Sequence, residues 1–96
     1  MTISDLRANW KPSILAIAAN RGASQVRVFG SVARNESDEQ SDIDFLVDLE
    51  PGRTLFDLSG LSIELELLLK VNVDVVTSNG LKPNIRERVL TEAILL

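Results

Sequence analysis

The sequence contains neither cysteine nor histidine. Without cysteine it has no disulfide, no thiolate nucleophile and no cysteine-ligated zinc, which fits a reducing compartment. Without histidine it has no imidazole base and no histidine metal ligand. Carboxylates are the side chains left for acid–base or metal chemistry, and sites built only from oxygen suit hard cations such as Mg²⁺ or Mn²⁺.

Long apolar runs and an excess of basic residues are also absent. No stretch approaches the roughly 20 apolar residues that span a membrane, and the N-terminal residues do not resemble a signal peptide. The net charge of −4 argues against an extended nucleic-acid surface, which requires clustered Lys and Arg. We expect residues 1–96 to form a single domain in the cytoplasm.

Hydrophobic periodicity, caps and turn residues predict the order helix, strand, short helix, strand, helix, strand, helix. The predicted helices cover about 4–10, 11–20, 31–35, 55–70 and the segment that opens near Pro83. The predicted strands cover 26–29, 42–49 and 71–77, and a polar loop runs from Glu36 to Ser41.

A glycine–serine pair stands at the first predicted strand-to-helix junction. Gly30 allows backbone to approach a phosphate closely, and the first amides of the following turn are unpaired donors. Ser31 adds a hydroxyl at the predicted N-cap. The pair predicts a phosphate-binding turn, and a tight turn with a serine cap is the alternative.

Two aspartates alternate along the second predicted strand. Asp42 and Asp44 share one face, roughly 6–7 Å apart, because residues two apart on a strand point to the same side. Such close carboxylates repel each other, and aspartate is depleted in strands, so a divalent cation between them would make the arrangement favourable. The alternative is that Asp42 only starts the strand and Asp44 is solvated.

A third aspartate, Asp74, lies among valines in the third predicted strand. An acid in such surroundings is costly without a partner. If this strand neighbours the Asp42–Leu49 strand, Asp74 joins the same carboxylate cluster. The alternative is an edge strand whose polar face carries Asn72 and Asp74.

The combination is more specific than any single element. Gly-Ser, ten residues, Asp-x-Asp and a later Asp in a β-rich strand closely resembles the minimal, single-domain branch of the polymerase-beta-like nucleotidyltransferase superfamily. The resemblance extends along almost the whole chain, and its matching segments are Val28–Arg34, Ser41–Asp44, the helix at Asp57-Leu58, the strand Val73–Val76 and the helix at Ile85–Arg88. The resemblance implies an α/β (α+β) fold in which helices pack on a small mixed β-sheet. Two departures are visible, since Asn35 and the segment Leu69–Asn72 stand where the family often has glycine.

The resemblance also implies the chemistry of the site. It implies transfer of a nucleoside monophosphate, AMP from ATP, to a hydroxyl with release of pyrophosphate. Asp42 and Asp44 would hold two Mg²⁺ ions, for which Mn²⁺ can substitute, and Asp74 would complete the ion nearer the acceptor. Gly30 and Ser31 would bind the terminal phosphates.

Three arginines have less specific assignments. Arg34 follows the glycine–serine turn, and we assign it to phosphate or to the acceptor protein, with a solvated surface arginine as the alternative. Arg86 and Arg88 lie on the last predicted helix, where a charged face is usually exposed to water.

The acceptor is expected to come from outside this small domain. The resemblance implies pairing with a helical HEPN-class RNase toxin that receives AMP. Surplus apolar residues in the helix 55–70 and in Ala93–Leu96 indicate a homo- or hetero-oligomeric interface, and a deeply buried helix is the alternative. Two rival functions are a binding module that inhibits its partner by contact alone, and a dimeric small-molecule nucleotidyltransferase.

Overall fold

The computed structural model describes residues 1–38 and 40–96. Residue 39, within the predicted polar loop from Glu36 to Ser41, lies outside the described residues. The described elements are, in chain order, α1 (Ile3–Asp5), a π-helical turn (Leu6–Trp10), α2 (Lys11–Asn20), β1 (Ala23–Phe29), α3 (Gly30–Ala33), β2 (Ile43–Leu49), α4 (Leu55–Leu69), β3 (Val73–Thr77), a 3-10 turn (Ser78–Gly80), α5 (Pro83–Glu92) and β4 (Ile94–Leu95). The predicted order is confirmed from the first helix to α5.

The four strands form one mixed sheet with the order β3-β2-β1-β4. Strand β2 is parallel to β3 and antiparallel to β1, and β1 is antiparallel to β4. The predicted mixed sheet packed with helices is therefore confirmed. Because β2 and β3 are parallel, the chain between them must cross over, and α4 makes that crossing. In this order, β3 lies at one edge of the sheet and β4 at the other.

The C-terminal residues belong to the sheet and the core. Ile94 and Leu95 pair with Val28 and Arg27 of β1, and the Leu96 side chain is buried in the main core cluster. Our interpretation of this segment as surplus apolar surface is therefore wrong for Leu96. A two-residue strand is too short to show a period in the sequence, so nothing local predicts this pairing.

Helices α2 and α4 cover one face of the sheet. Ile43 and Phe45 of β2 are buried there in the same cluster as Ile14 of α2 and Leu61 of α4. Burial of each such side chain stabilises the fold by roughly 1.5–3 kcal/mol. The predicted alternation of β2 is confirmed, because its odd-numbered residues face this core.

The opposite face of the sheet carries acids. Along β2, Asp44 and Asp48 point to this face, with Leu46 between them. Leu46 is fully buried and Val89 of α5 is largely buried, but neither belongs to the main core cluster. This second face is therefore apolar only around Leu46 and polar at both ends of β2.

Helix α4 is apolar on more than one side, as the sequence predicts. One stripe is buried and the other is not, since Phe56 is 87% and Leu67 is 74% exposed. The alternative prediction of a deeply buried helix is therefore wrong. Lys70 ends α4 in the left-handed conformation, with φ +59°, so a lysine makes the turn where the family often has glycine. None of the helices formed by the described residues is long and apolar enough to cross a membrane.

Candidate functional site

The sheet register places residues of three strands in one row. Asp44, near the start of β2, pairs with Phe29 at the end of β1 and with Asp74 on β3. Paired residues on neighbouring strands are about 5 Å apart and point to the same face. Asp42 immediately precedes β2. The condition that the sequence left open for Asp74, a strand beside Asp42–Leu49, is met.

Asp44 occupies an electrostatically unfavourable position. It is half-buried, whereas Asp42 and Asp74 are exposed. Burial, followed by the negative charges of Asp74 and Asp42, raises the pKa of Asp44 to about 6, and the positive charge of Arg34 opposes part of this rise. The row of acids therefore concentrates negative charge around one half-buried carboxyl group.

These three aspartates differ from the other four in the chain. In the part of the chain that the structure describes, no ion pair and no hydrogen bond from an N–H or O–H donor reaches Asp42, Asp44 or Asp74. The other four each accept such a bond: Asp5 from Thr2, Asp38 from Ser41, Asp48 from Arg27 and Asp57 from Thr54. The acids of the row are thus the ones that the fold itself does not use.

Gly30 brings the backbone directly against Asp44. It follows Phe29, the partner of Asp44 in the row, and has a φ of +73°. A Cβ atom at this position would overlap the Asp44 carboxylate. Glycine is therefore required twice, for the positive φ and for the close approach.

Ser31 does not cap the following turn. The N-cap of α3 is Phe29, and Ser31 lies inside the turn, because Gly30 already takes up the sharp change of direction. Among the side-chain hydrogen bonds of the described residues, none involves the Ser31 hydroxyl. Asn35 adopts a left-handed φ of +58°, so an asparagine makes the turn where the family often has glycine.

Arg34 is held by two carboxylates. Its Nε donates to Glu36 at 3.1 Å and its Nη1 donates to Glu92 at 2.5 Å. These bonds raise the pKa of Arg34, with the bond to Glu92 as the largest cause. Glu92 also accepts a hydrogen bond from the Gly30 amide at 3.2 Å. Sequence reasoning missed Glu92 because its partners are 58 and 62 residues away.

The donor set of the row suits a hard cation. Its ligands are carboxylate oxygens, and the mutual repulsion around Asp44 is the kind of cost that a divalent cation relieves. As the side chains stand, no group of three or more acids among the described residues encloses a cation position. Asp42 and Asp74 are exposed, so rotation about their side-chain bonds can change that arrangement.

Residues 14–96 match the family described as Nucleotidyltransferase domain. The chain belongs to this family. MJ0435 of Methanocaldococcus jannaschii, named as an inferred protein adenylyltransferase, is 44% identical over 84 residues, which are 88% of this chain and 90% of that protein. Protein adenylyltransferase MntA of Thermococcus cleftensis is 41% identical over 73 residues, which are 76% of this chain and 74% of MntA.

Solved structures agree with this assignment. One, described as an inferred minimal nucleotidyltransferase, is 52% identical with a TM-score of 0.86, and the match covers 100% of this chain and 97% of the other. The crystal structure of a toxin–antitoxin with AMP-PNP shares the fold at 19% identity, with a TM-score of 0.77 over 90% of this chain and 71% of the other. The protein is a nucleotidyltransferase of the minimal type.

Proposed function

We propose that this nucleotidyltransferase transfers AMP from ATP to a hydroxyl group of a partner protein, in a reaction that depends on divalent cations. The observation that carries the proposal is the pair Asp44 and Asp74 in the row beside Gly30, two neighbouring carboxylates that have no cationic partner among the described residues. The relatives named as protein adenylyltransferases support AMP as the transferred group and a protein as the acceptor.

Asp42, Asp44 and Asp74 are the residues that would hold the cations. Two Mg²⁺ ions are proposed, with Mn²⁺ as the substitute, because the donors are all oxygen. When bound, such ions supply charge neutralisation for the triphosphate and for the leaving pyrophosphate. Phosphoryl and nucleotidyl transfer need mainly positioning and electrostatic stabilisation from a protein.

The turn after β1 is proposed to hold the triphosphate. Gly30 lets the backbone of this turn lie directly against Asp44, because it has no side chain that would overlap the carboxylate. Its amide already donates to Glu92, so we assign the phosphate contacts to the amide and the hydroxyl of Ser31. Arg34 lies close enough to lower the pKa of Asp44 and adds positive charge at the same end of the row.

The acceptor hydroxyl is proposed to approach from the β3 side. Strand β3 is an edge strand, and Asp74 on it is exposed, so a protein-sized acceptor can reach it. The hydroxyl oxygen forms a bond to the α-phosphorus, the bond from that phosphorus to pyrophosphate breaks, and Asp74 takes up the hydroxyl proton.

The proposed docking surface for the acceptor protein is the exposed stripe of α4. A concavity of about 530 Å³ is lined by Ile63 and Leu67 of this stripe and by Gln40 and Asn72, among others. Gln40 and Asn72 each stand two residues before an acid of the site. The apolar stripe thus borders the acidic edge, and a protein seated there would bring its hydroxyl to Asp74.

The partner is proposed to be a toxin of the HEPN class, whose neutralisation would be the biological outcome. The fold shared with a toxin–antitoxin structure that contains AMP-PNP supports an antitoxin role. The choice of the HEPN class follows from the resemblance to the minimal nucleotidyltransferases.

The test is incubation with ATP labelled at the α-phosphate, Mg²⁺ and the protein encoded beside this one. We expect label on the partner. The double variant Asp42→Asn/Asp44→Asn should give none, whereas Asp48→Asn should label normally. Label transfer by the double variant would refute the carboxylate assignment. Partner inhibition without label would favour the contact-only antitoxin, and label on a small molecule would favour the dimeric small-molecule enzyme.

The docking surface has its own test. Leu67→Ser should weaken partner labelling while leaving nucleotide binding unchanged. The matched control is Leu95→Ser, which alters an exposed leucine on β4, at the opposite edge of the sheet. Equal labelling by the two variants would contradict the α4 surface. Light scattering that detects a homodimer lost in Leu67→Ser would assign the stripe to self-association instead.

A further inference from the structure

Glu92 joins the end of α5 to the turn that follows β1. One carboxylate oxygen accepts a hydrogen bond from Nη1 of Arg34 at 2.5 Å, and the other accepts one from the Gly30 amide at 3.2 Å. The same carboxylate therefore contacts the first residue of the turn and the arginine that follows it. Both contacts are long-range in sequence, so they hold two separate elements together.

The environment of Glu92 keeps it ionised. Its side chain is only 17% exposed, and burial alone would raise its pKa. The hydrogen bonds from Arg34 and Gly30, with the nearby positive charge of Arg88, outweigh burial and hold the pKa of Glu92 below its usual value. Charge-assisted hydrogen bonds of this kind are short and roughly twice as strong as neutral ones.

Arg34 has a second carboxylate partner, Glu36, which differs from Glu92 in its sequence separation from Arg34, in its exposure and in the nitrogen that it contacts. Glu36 is two residues away and its side chain is 63% exposed, and among the described residues its carboxylate hydrogen-bonds only with Nε of Arg34. It ties the arginine to its own loop, and neither Gly30 nor α5 is involved. Of the carboxylates that contact this guanidinium within the described residues, Glu92 is the one that can fix the position of the turn relative to the rest of the fold.

Gly30 is the point where a small displacement matters. A Cβ atom on Gly30 would overlap the Asp44 carboxylate. The backbone of the turn and the Asp44 side chain are therefore in direct contact, with no free space between them. Gly30 is also the residue with the greatest conformational freedom in the turn. A hydrogen bond on its amide therefore restricts the one residue whose movement would alter the space beside Asp44.

We propose that Glu92 is a positioning residue, which holds the Gly30 amide and the Arg34 guanidinium so that the turn presents Ser31 to the triphosphate of the nucleotide. This inference rests on the proposed function. It assigns the terminal phosphates to Ser31 and the residues after it, because the Gly30 amide is occupied. Displacements of about 1 Å in such positioning groups can cost ~100-fold in activity.

The experiment measures binding of Mg²⁺ and AMP-PNP to the full chain by isothermal titration calorimetry. Glu92→Gln should weaken binding by about 10- to 100-fold, and Glu36→Gln, which removes the other carboxylate from the same arginine, should change it by less than ~2-fold. Nuclear magnetic resonance of the Gly30 amide supplies the second readout. Its resonance should shift and its hydrogen exchange should accelerate in Glu92→Gln and remain unchanged in Glu36→Gln.

The outcomes separate the two ideas. If the wild-type chain binds no nucleotide, both the proposed function and the role of Glu92 are wrong. If the wild type binds and Glu92→Gln binds equally well, the proposed function stands and the positioning role is overturned. A double-mutant cycle with Arg34→Gln should show non-additive losses in affinity, because the second variant removes a contact that the first has already broken. Thermal melting of each variant checks that it is folded.

Discussion

The two ends of strand β2 carry the same residue type on the same face of the sheet but give it opposite surroundings. Asp48, near the C-terminal end, accepts a hydrogen bond from Arg27 at 3.0 Å and another from Ser78 at 3.3 Å. Asp44, four residues earlier, has Asp74 as its neighbour. None of the ion pairs among the described residues includes Asp44.

This difference separates an acid that serves the fold from one that we assign to function. The surroundings of Asp48 supply the donors that an ionised carboxylate requires, so its charge stabilises the contact with Arg27. The surroundings of Asp44 provide no such donors, so ionisation of Asp44 destabilises the fold, and a bound cation would offset this destabilisation. Strained or unfavourable local arrangements of this kind are typical of functional sites, where stability is exchanged for activity.

The sharpest test of the comparison exchanges each aspartate for asparagine. Asp44→Asn should lower the rate of AMP transfer by at least ~1000-fold, about 4 kcal/mol, because it removes the central carboxylate of the row. Asp48→Asn should keep the rate within about threefold, because Asp48 contacts only structural partners. Initial rates of label incorporation measure both. A similar loss in the two variants would show that the two ends of β2 do not differ in function.

Glycine provides a second matched pair. Gly30→Ala should reduce transfer by ~100-fold, because the added methyl group displaces the Asp44 carboxylate in addition to straining a backbone with φ +73°. Gly52→Ala is the control, since its φ is +91° with open space around the added Cβ. It should lose only about 1–2 kcal/mol of stability and keep its activity. Melting temperatures and transfer rates separate these contributions, and an active Gly30→Ala would refute the close approach as a requirement.

Much of this contrast could be predicted from local sequence. The two-residue period of β2 places Asp44 and Asp48 on the face opposite Phe45, and the valines around Asp74 predict a strand. Both inferences need only neighbouring residues, because strand geometry fixes which side chains share a face. The grouping of Asp74 with Asp44 required one further assumption, that their strands are neighbours, and the parallel pairing of β2 with β3 confirms it.

The remaining features depend on contacts between distant segments. Pairing of Ile94 with Val28 joins positions that no short-range pattern connects. Glu92 looks like one more charged residue on a solvated helix until α5 is packed against the turn of Gly30. The prediction of Ser31 as the N-cap is wrong for a different reason, because the sequence shows a glycine before a serine but does not show that the glycine itself turns the chain.

The comparison also makes a stability prediction of opposite sign for its two ends. At pH 8 and in EDTA, Asp44→Asn should raise the melting temperature by about 4 °C, roughly 1 kcal/mol after allowance for solvent screening. The reason is that the pKa of Asp44 is raised to about 6, so its ionised form opposes folding at this pH. Mg²⁺ should raise the melting temperature of the wild type but not that of the variant. A destabilised Asp44→Asn in EDTA would mean that the carboxylate has a structural partner after all.

The smallest expected effect belongs to the paired end. Arg27 and Asp48 are partly exposed, with side-chain exposures of 21% and 48%, so solvent screens their attraction and Asp48→Asn should lower stability by only about 0.5 kcal/mol. Arg27→Gln should cost a similar amount, and the double variant should lose less than the sum, because each single change already breaks the shared contact. Urea denaturation of the three variants measures the coupling. A coupling energy of zero would mean that Arg27 does not stabilise Asp48. The two ends of β2 would then differ only in the negative charge of Asp74 beside Asp44.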